Sequence, residues 1–173
     1  YSLVFFVSLM VGSFLNVVIY RLPIMMERSW QQEYQSYFSE GEPTPHDKNS
    51  SASEEVFNLV KPDSTCPSCG HKIRAWENIP VISYLFLKGK CAKCKVGISV
   101  RYPLVELFTA LACTFAAYQF GVTSQALWAV LFTYILVALL FIDLDKMLLP
   151  DQLTLPLLWL GLLLSTQHIF VGT

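Results

Sequence analysis

Three aspartates that follow an apolar run have the clearest chemical potential in this sequence. The run ends at Ile142 and continues directly into Asp143 and Asp145, with Asp151 beside Pro150 six residues further on. A carboxylate at the end of an apolar helix is costly unless it reaches water or a partner, so it is a candidate functional group. Two carboxylates held close together can act as one acid and one base that activate water between them. This is aspartyl protease chemistry, and it requires carboxylates from two different parts of the chain.

The same aspartates also have plainer interpretations. Charged residues commonly mark the end of a membrane span, and Asp151 could simply N-cap the helix that follows Pro150. Asp145 stands beside Lys146 and could form a solvated surface pair with it. Asp143 is nearest to the apolar run and is the hardest to explain in these ways, which makes it the main catalytic candidate.

Two Cys-x-x-Cys pairs are the second set of residues with a defined chemistry. Cys66 and Cys69 form the first pair, and Cys91 and Cys94 form the second pair after 21 intervening residues. Four thiolates in this arrangement are typical of a closed, tetrahedral structural zinc site, which has no open position for catalysis. Redox-active thiols or another metal are the alternatives. His71 could replace one cysteine as a ligand, although its position favours a role in capping the first pair or facing solvent.

The elements that must hold these residues are membrane helices. The chain is 54% hydrophobic and only 14% charged, which is too apolar for an ordinary soluble domain. Its net charge of −1 argues against nucleic acid as a partner and leaves the lipid bilayer as the expected one. Four stretches are close to the roughly 20 residues that a spanning helix needs. They are residues 1–20, 102–120, 125–142 and 152–171.

The polar block between the first two stretches sets the expected orientation. Residues 21–101 hold eleven of the twelve Lys and Arg residues, so the positive-inside rule places this insert in the cytoplasm. The loop 143–151 then falls on the same side of the membrane. A reducing cytoplasm favours zinc over disulfides for the four cysteines. Residues 39–55 are polar and rich in Pro and Ser, which predicts a mobile loop.

Two further patterns concern packing. Ser8, Gly12 and Asn16 recur every four residues, so we expect them to share a helix face that packs closely against a neighbouring helix. Cys113 lies in the middle of a span and is expected to be a small buried hydrophobe. The apolar segment 76–87 is too short to span, and it either forms the core of the insert or lies in the membrane interface.

The sequence therefore predicts an all-α polytopic membrane protein with about four transmembrane helices and a small cytoplasmic zinc-ribbon-like insert. Residues 1–20 form the first transmembrane helix, residues 21–101 form the insert, and residues 102–173 carry the remaining helices with the loop 143–151. The oligomeric state is left open by these patterns.

These residues also carry a family resemblance. The chain resembles the type IV prepilin leader peptidases, and four stretches in the family's order carry the likeness over nearly the whole chain. They are Gly12-Ser13-Phe14-Leu15-Asn16-Val17-Val18-Ile19-Tyr20-Arg21-Leu22-Pro23, the two cysteine pairs with Glu77-Asn78-Ile79-Pro80 between them, Arg101-Tyr102-Pro103-Leu104-Val105-Glu106, and Asp143 through Asp151.

The resemblance implies an enzyme of the bacterial inner membrane with two activities. An aspartic endopeptidase would cleave the basic leader of prepilins and pseudopilins of type IV pilus and type II secretion systems at the cytoplasmic face, after a Gly. The same enzyme would then methylate the new N-terminal residue from S-adenosylmethionine. Asp143 matches the first catalytic aspartate, with Asp145 and Asp151 as supporting carboxylates. The insert, with Gly89 and Lys90 beside the second cysteine pair, matches the region associated with methylation.

One departure from the family bears on activity. The family's second catalytic aspartate lies in a Gly-x-Gly-Asp motif in later spans, and none of the eight glycines here belongs to such a motif. The resemblance therefore predicts that this chain is the N-terminal portion of a protein of about eight spans and is inactive alone. The competing hypothesis is a zinc-braced membrane scaffold, or a transporter subunit whose aspartates bind protons or cations.

Overall fold

The architecture is that of a small bundle of membrane helices. The computed structural model describes residues 1–39, 58–59, 64–66, 68–74 and 79–166. Five α-helices follow one another as α1 (Ser2–Ser39), α2 (Ile82–Phe86), α3 (Arg101–Phe120), α4 (Ser124–Lys146) and α5 (Asp151–Thr166). Within the described ranges the only β-pairing consists of two isolated bridges, Thr65 with Lys72 and Lys90 with Gly97. The predicted all-α class is therefore confirmed.

Three helices, α1, α3 and α4, are long and apolar enough to cross a membrane. Helix α5 is described over 16 residues, so the rest of the fourth predicted span, 152–171, lies outside the described residues. The predicted mobile loop 39–55 also lies outside them from residue 40 onward, as do residues 75–78 of the apolar segment between the cysteine pairs.

Helix α1 continues well beyond the predicted span 1–20. It runs for 38 residues to Ser39 and passes through the buried Pro23 without ending. Arg21 was expected to mark the polar boundary, but it is only 8% exposed and donates a hydrogen bond to the Asn58 carbonyl at 2.9 Å. A buried arginine with a backbone acceptor does not have to reach water, and the helix therefore continues through it.

The face predicted for close packing on α1 does pack against a neighbour, helix α3. Ser8 is fully buried, and Asn16 donates its side-chain amide to the Tyr102 carbonyl at 3.1 Å. A Cβ atom on Gly12 would lie only 2.9 Å from the Glu106 Cα. Only glycine therefore fits at this crossing, and the two helix backbones approach each other there.

A hydrophobic cluster joins the three spanning helices near the end of α4. It contains eight buried residues, and Ile142 and Val105 within it are fully buried. Cys113 is also fully buried, as predicted. The members of the cluster are Leu15, Val18, Ile19, Leu22, Val105, Val137, Ala138 and Ile142. This packing fixes the end of α4, where the aspartates begin.

Candidate functional site

Asp143 lies in the last turn of α4, directly after the buried Ile142. Its side chain is exposed and forms no hydrogen bond or ion pair with any described residue. The helix ends three residues later at Lys146, because the next residue, Met147, adopts a left-handed conformation (φ 50°) and donates its N–H to the Asp143 carbonyl at 2.8 Å. The backbone of Asp143 is thus held firmly while its carboxylate stays available.

Asp145 has a different environment from Asp143. It forms an ion pair with Arg101 at the start of α3. The two positions differ by about 200° around the helix axis, so the carboxylates point to different sides of α4. Asp145 therefore cannot share a water molecule with Asp143.

The predicted surface pair between Asp145 and Lys146 is wrong. Adjacent side chains on a helix diverge by about 100° and do not face each other. Lys146 instead contacts Glu27 of α1 at 3.1 Å. The two ion pairs connect the end of α4 to α3 on one side and to α1 on the other. Each pair is largely exposed and contributes about 0–1 kcal/mol to stability, so their value here is positional.

Asp151 is the first residue of α5 rather than its N-cap, which corrects the sequence-based prediction by one position. The residue before it, the buried Pro150, accepts the first helical hydrogen bonds from the N–H groups of Leu153 and Thr154, both at 3.0 Å. The negative charge of Asp151 in the first turn still stabilises the helix through the helix dipole. Its exposed side chain remains close in sequence to Asp143 but on a separate helix.

The four predicted metal ligands come together. The sulfur atoms of Cys66, Cys69, Cys91 and Cys94 all lie within 4.8 Å of one another, and those of Cys66 and Cys94 are 3.7 Å apart. A zinc ion with Zn–S bonds of about 2.3 Å in a tetrahedron requires S···S distances of about 3.8 Å. All four cysteines are free thiols. The site thus fits a metal ion with four sulfur ligands, and His71 is not part of the cluster.

Both cysteine pairs use the same local fold. In the first pair, the Cys66 N–H bonds to the His71 carbonyl and the Gly70 N–H bonds back to the Cys66 carbonyl, both at 2.9 Å. In the second pair, Cys91 bonds to Val96 at 2.8 Å and Lys95 bonds back to Cys91 at 3.1 Å. The fourth residue after the first cysteine is left-handed in both, with φ 64° at Gly70 and φ 62° at Lys95. We name these two turns the knuckles.

The thiols influence one another electrostatically. The pKa of Cys91 is lowered to about 6 because the backbone N–H groups of Cys94 and Lys93 stabilise its thiolate. For Cys94 the backbone N–H of Val96 acts to lower the pKa, but desolvation and the neighbouring thiols of Cys69 and Cys91 outweigh it and raise the pKa to about 11. Cys94 therefore loses its proton readily only when a positive charge lies close to its sulfur. A bound divalent cation would supply that charge.

A buried glutamate links the insert to the helix bundle, and sequence analysis assigned it no role. Glu106 on α3 is 7% exposed and accepts a hydrogen bond from the Val81 N–H at 2.8 Å. The Ser13 hydroxyl bonds to the same carboxylate. Val81 is left-handed (φ 56°), which is unfavourable for a β-branched residue. The sequence did contain a signal for this role, because Glu106 is a single carboxylate among the apolar residues near the start of α3.

Gly89 and Lys90, predicted to act in methylation, lie in the turn between α2 and the second knuckle. Gly89 is left-handed (φ 67°), and a Cβ atom there would lie 2.7 Å from the Tyr84 hydroxyl. Tyr84 in turn hydrogen-bonds to the Ile98 carbonyl at 3.4 Å. Glycine is thus required by the backbone at this turn. The side chain of Lys90 is exposed.

Comparison with known proteins places the chain in a family. Residues 6–120 match the family described as the bacterial peptidase A24 N-terminal domain, and residues 130–172 match the type IV leader peptidase family. No solved structure matches the chain significantly.

Several curated relatives carry the name prepilin leader peptidase/N-methyltransferase. The protein from Aeromonas salmonicida is 59% identical over 95% of this chain and 55% of its own length. The protein from Pseudomonas aeruginosa is 52% identical over 95% of this chain and 54% of its own length. The protein from Neisseria gonorrhoeae is 48% identical, again over 95% of this chain and 55% of its own length.

This chain spans about half the length of the curated relatives that it matches. The matches cover the spanning helices, the metal-binding cluster and the turn that carries the aspartates. The chain is thus a multi-pass bacterial membrane protein, and it belongs to the A24 family of type IV leader peptidases.

Proposed function

We propose that the complete protein removes the basic leader peptide of prepilins and pseudopilins and then methylates the new N-terminal residue. The observation that carries this proposal is the position of Asp143. An exposed carboxylate without a described partner ends a spanning helix, in a chain that is 48–59% identical to proteins named for this activity. Cleavage would take place at the cytoplasmic face of the bacterial inner membrane, where the basic insert also lies.

In this proposal Asp143 supplies one of the two carboxylates that activate water. One carboxylate removes a proton from the attacking water while the other protonates the leaving amine. The second carboxylate belongs to the part of the relatives that this chain does not span. Asp145 supports the site by fixing α4 to Arg101, and Asp151 supports it at the start of α5.

The four cysteines hold zinc in the proposed enzyme. Zinc with four protein ligands has no open coordination position, so these residues brace the insert and take no direct part in cleavage. The insert would serve methylation, with Gly89 and Lys90 at its turn. S-adenosylmethionine supplies the methyl group when bound.

Substitution of Asp143 in the complete protein tests the protease assignment. Asp143→Asn keeps the shape of the side chain but removes the charge, and we expect it to slow cleavage by about 100-fold or more. The substrate is a prepilin with a basic leader and a Gly before the cleaved bond, and cleavage is followed by gel shift in membranes. Asp145→Asn is the comparison variant: it removes only a partly exposed ion pair that positions α4, so it should slow cleavage far less than Asp143→Asn does. Undiminished cleavage by Asp143→Asn would contradict the proposal.

A further inference from the structure

Helix α2 is fixed to the bundle at a defined depth. The Val81 N–H, directly before α2, bonds to Glu106, and Glu106 lies five residues along α3 from Arg101. Five residues of α-helix correspond to about 7.5 Å. The Glu106 backbone therefore lies about 7.5 Å along α3 from the Arg101 backbone, on the apolar side, and Val81 lies within hydrogen-bond reach of the Glu106 carboxylate.

The bundle surface at this depth is apolar. Gly12 packs against the Glu106 backbone and so marks the same level on α1. The outward side chains around this level are Met10 and Phe14 on α1, 61% and 53% exposed, and Leu107 and Phe108 on α3, 39% and 46% exposed. Large apolar side chains that no other helix of this chain covers are available for contact with lipid. The anchor point of α2 thus lies at the level of lipid-facing surface.

Helix α2 presents its own apolar side chains outward. Leu85 is 69% exposed and Phe86 is 84% exposed, and Ile82 one turn earlier is 46% exposed. No residue of α2 is buried. The described part of the protein therefore does not cover the apolar side chains of α2. Tyr84 fixes this helix to Ile98 and packs against Gly89.

The charges that follow α2 are all positive. Lys88 and Lys90 come directly after the helix, and Lys93 and Lys95 lie in the second knuckle. Residues 79–100 contain no acidic side chain. Apolar side chains followed by lysines are typical of segments that lie in the membrane interface, where the lysines meet anionic lipid headgroups.

We propose that residues 79–90 form an interfacial anchor that seats the metal-binding insert on the lipid bilayer. Ile82, Leu85 and Phe86 insert among the lipid chains, and Lys88 and Lys90 contact anionic headgroups. Glu106 sets the depth of this anchor through its bond to Val81. The anchor holds the insert at the same end of the bundle as Asp143, and it does so independently of whether the protein cleaves prepilins.

Depth measurement with a fluorescent label tests this proposal in the complete, zinc-loaded protein. A background in which Cys113, and any cysteine outside residues 1–173, is replaced by Ala leaves the four metal ligands, which the bound ion protects. Phe86→Cys then receives one environment-sensitive dye. Leu111→Cys on α3 is the lipid-facing reference, and Gln32→Cys on the polar part of α1 is the aqueous reference. Mass spectrometry confirms one label per chain. The protein is placed in nanodiscs of phosphatidylcholine and phosphatidylglycerol, with or without nitroxide-labelled lipid.

We expect nitroxide lipid to quench the dye at position 86 several-fold more strongly than at position 32, and nearly as strongly as at position 111. Adding Leu85→Glu should reduce that quenching, and Leu85→Met should preserve it. Replacing phosphatidylglycerol by phosphatidylcholine should weaken it. Quenching at position 86 equal to that at position 32 would overturn the proposal. A dye shielded from both nitroxide lipid and aqueous iodide would overturn it as well, because protein would then cover α2.

Discussion

At the scale of single residues, the charged residues at the end of α4 lie close together in sequence but have different partners. The sequence singled out Asp143 because it follows the apolar run, and the structure leaves its carboxylate free of described partners. The partners of Asp145 and Lys146 could not be predicted, because Arg101 and Glu27 lie 44 and 119 residues away. Only the packing of α1 and α3 against α4 brings these charges together.

The hydrogen bond between Val81 and Glu106 gives a testable prediction about how the insert is held to the bundle. Glu106→Ala would leave the Val81 N–H without its acceptor, which costs about 1–3 kcal/mol for a buried donor. We expect faster amide hydrogen exchange at Val81 and in α2, with unchanged exchange in α4. Glu106→Gln retains an acceptor oxygen and should recover most of the protection. If both variants exchanged as slowly as the parent protein, Glu106 would not hold the insert to the bundle.

At the scale of elements, the sequence predicted where helices occur better than where they end. Ser8, Gly12 and Asn16 correctly indicated the face of α1 that packs against α3. The length of α1 was underestimated because Arg21 was expected to be the polar end of the span. In the structure Arg21 is buried and donates a hydrogen bond to the carbonyl of Asn58, which is distant in sequence. Helix α2 is too short to give a periodic pattern, and the bond from Glu106 that fixes it is a tertiary contact.

The crossing of α1 and α3 gives a prediction with an internal control. Gly12→Ala would bring a Cβ atom to 2.9 Å from the Glu106 backbone, and backbone cannot move aside easily. We expect a lower melting temperature, with a destabilisation of about 1–3 kcal/mol from overpacking. Gly161→Ala on α5 meets Phe132 at an ordinary 3.7 Å and should be nearly neutral. Equal melting temperatures for the two variants would contradict the close approach at Gly12.

The two knuckles predict opposite effects at equivalent positions. Gly70 and Lys95 both have a left-handed backbone, which costs a residue with a side chain about 1–2 kcal/mol. Gly70→Ala should therefore weaken metal retention, while Lys95→Gly should strengthen it slightly. Release of the metal to a chromogenic chelator measures both effects. The same sign for both substitutions would mean that backbone strain does not govern the stability of the knuckles.

At the scale of the whole molecule, the metal-binding cluster and the aspartates lie on different elements, so we expect substitutions in the two places to have separate effects. In the complete protein, Cys66→Ser should release the metal and impair methylation more than proteolysis, because the metal-binding cluster does not include Asp143. Cys113→Ser is the control, since Cys113 is buried in the bundle away from the cluster. Metal content and both activities are measured on the same membranes. Equal loss of cleavage and methylation would mean that the insert also positions the substrate.

The symmetry of the knuckles has a consequence for how the protein is made in the cell. Each knuckle contributes two of the four ligands. Besides the knuckles, the described part of residues 58–100 contains only two isolated bridges and the five-residue α2. Such a unit would gain its structure from a metal bound to the four cysteines. Biosynthesis would then have two stages, since the apolar helices enter the membrane by their own hydropathy and the insert would mature only when the metal arrives. Cells starved of that metal would accumulate a correctly inserted protein with an immature, protease-sensitive insert.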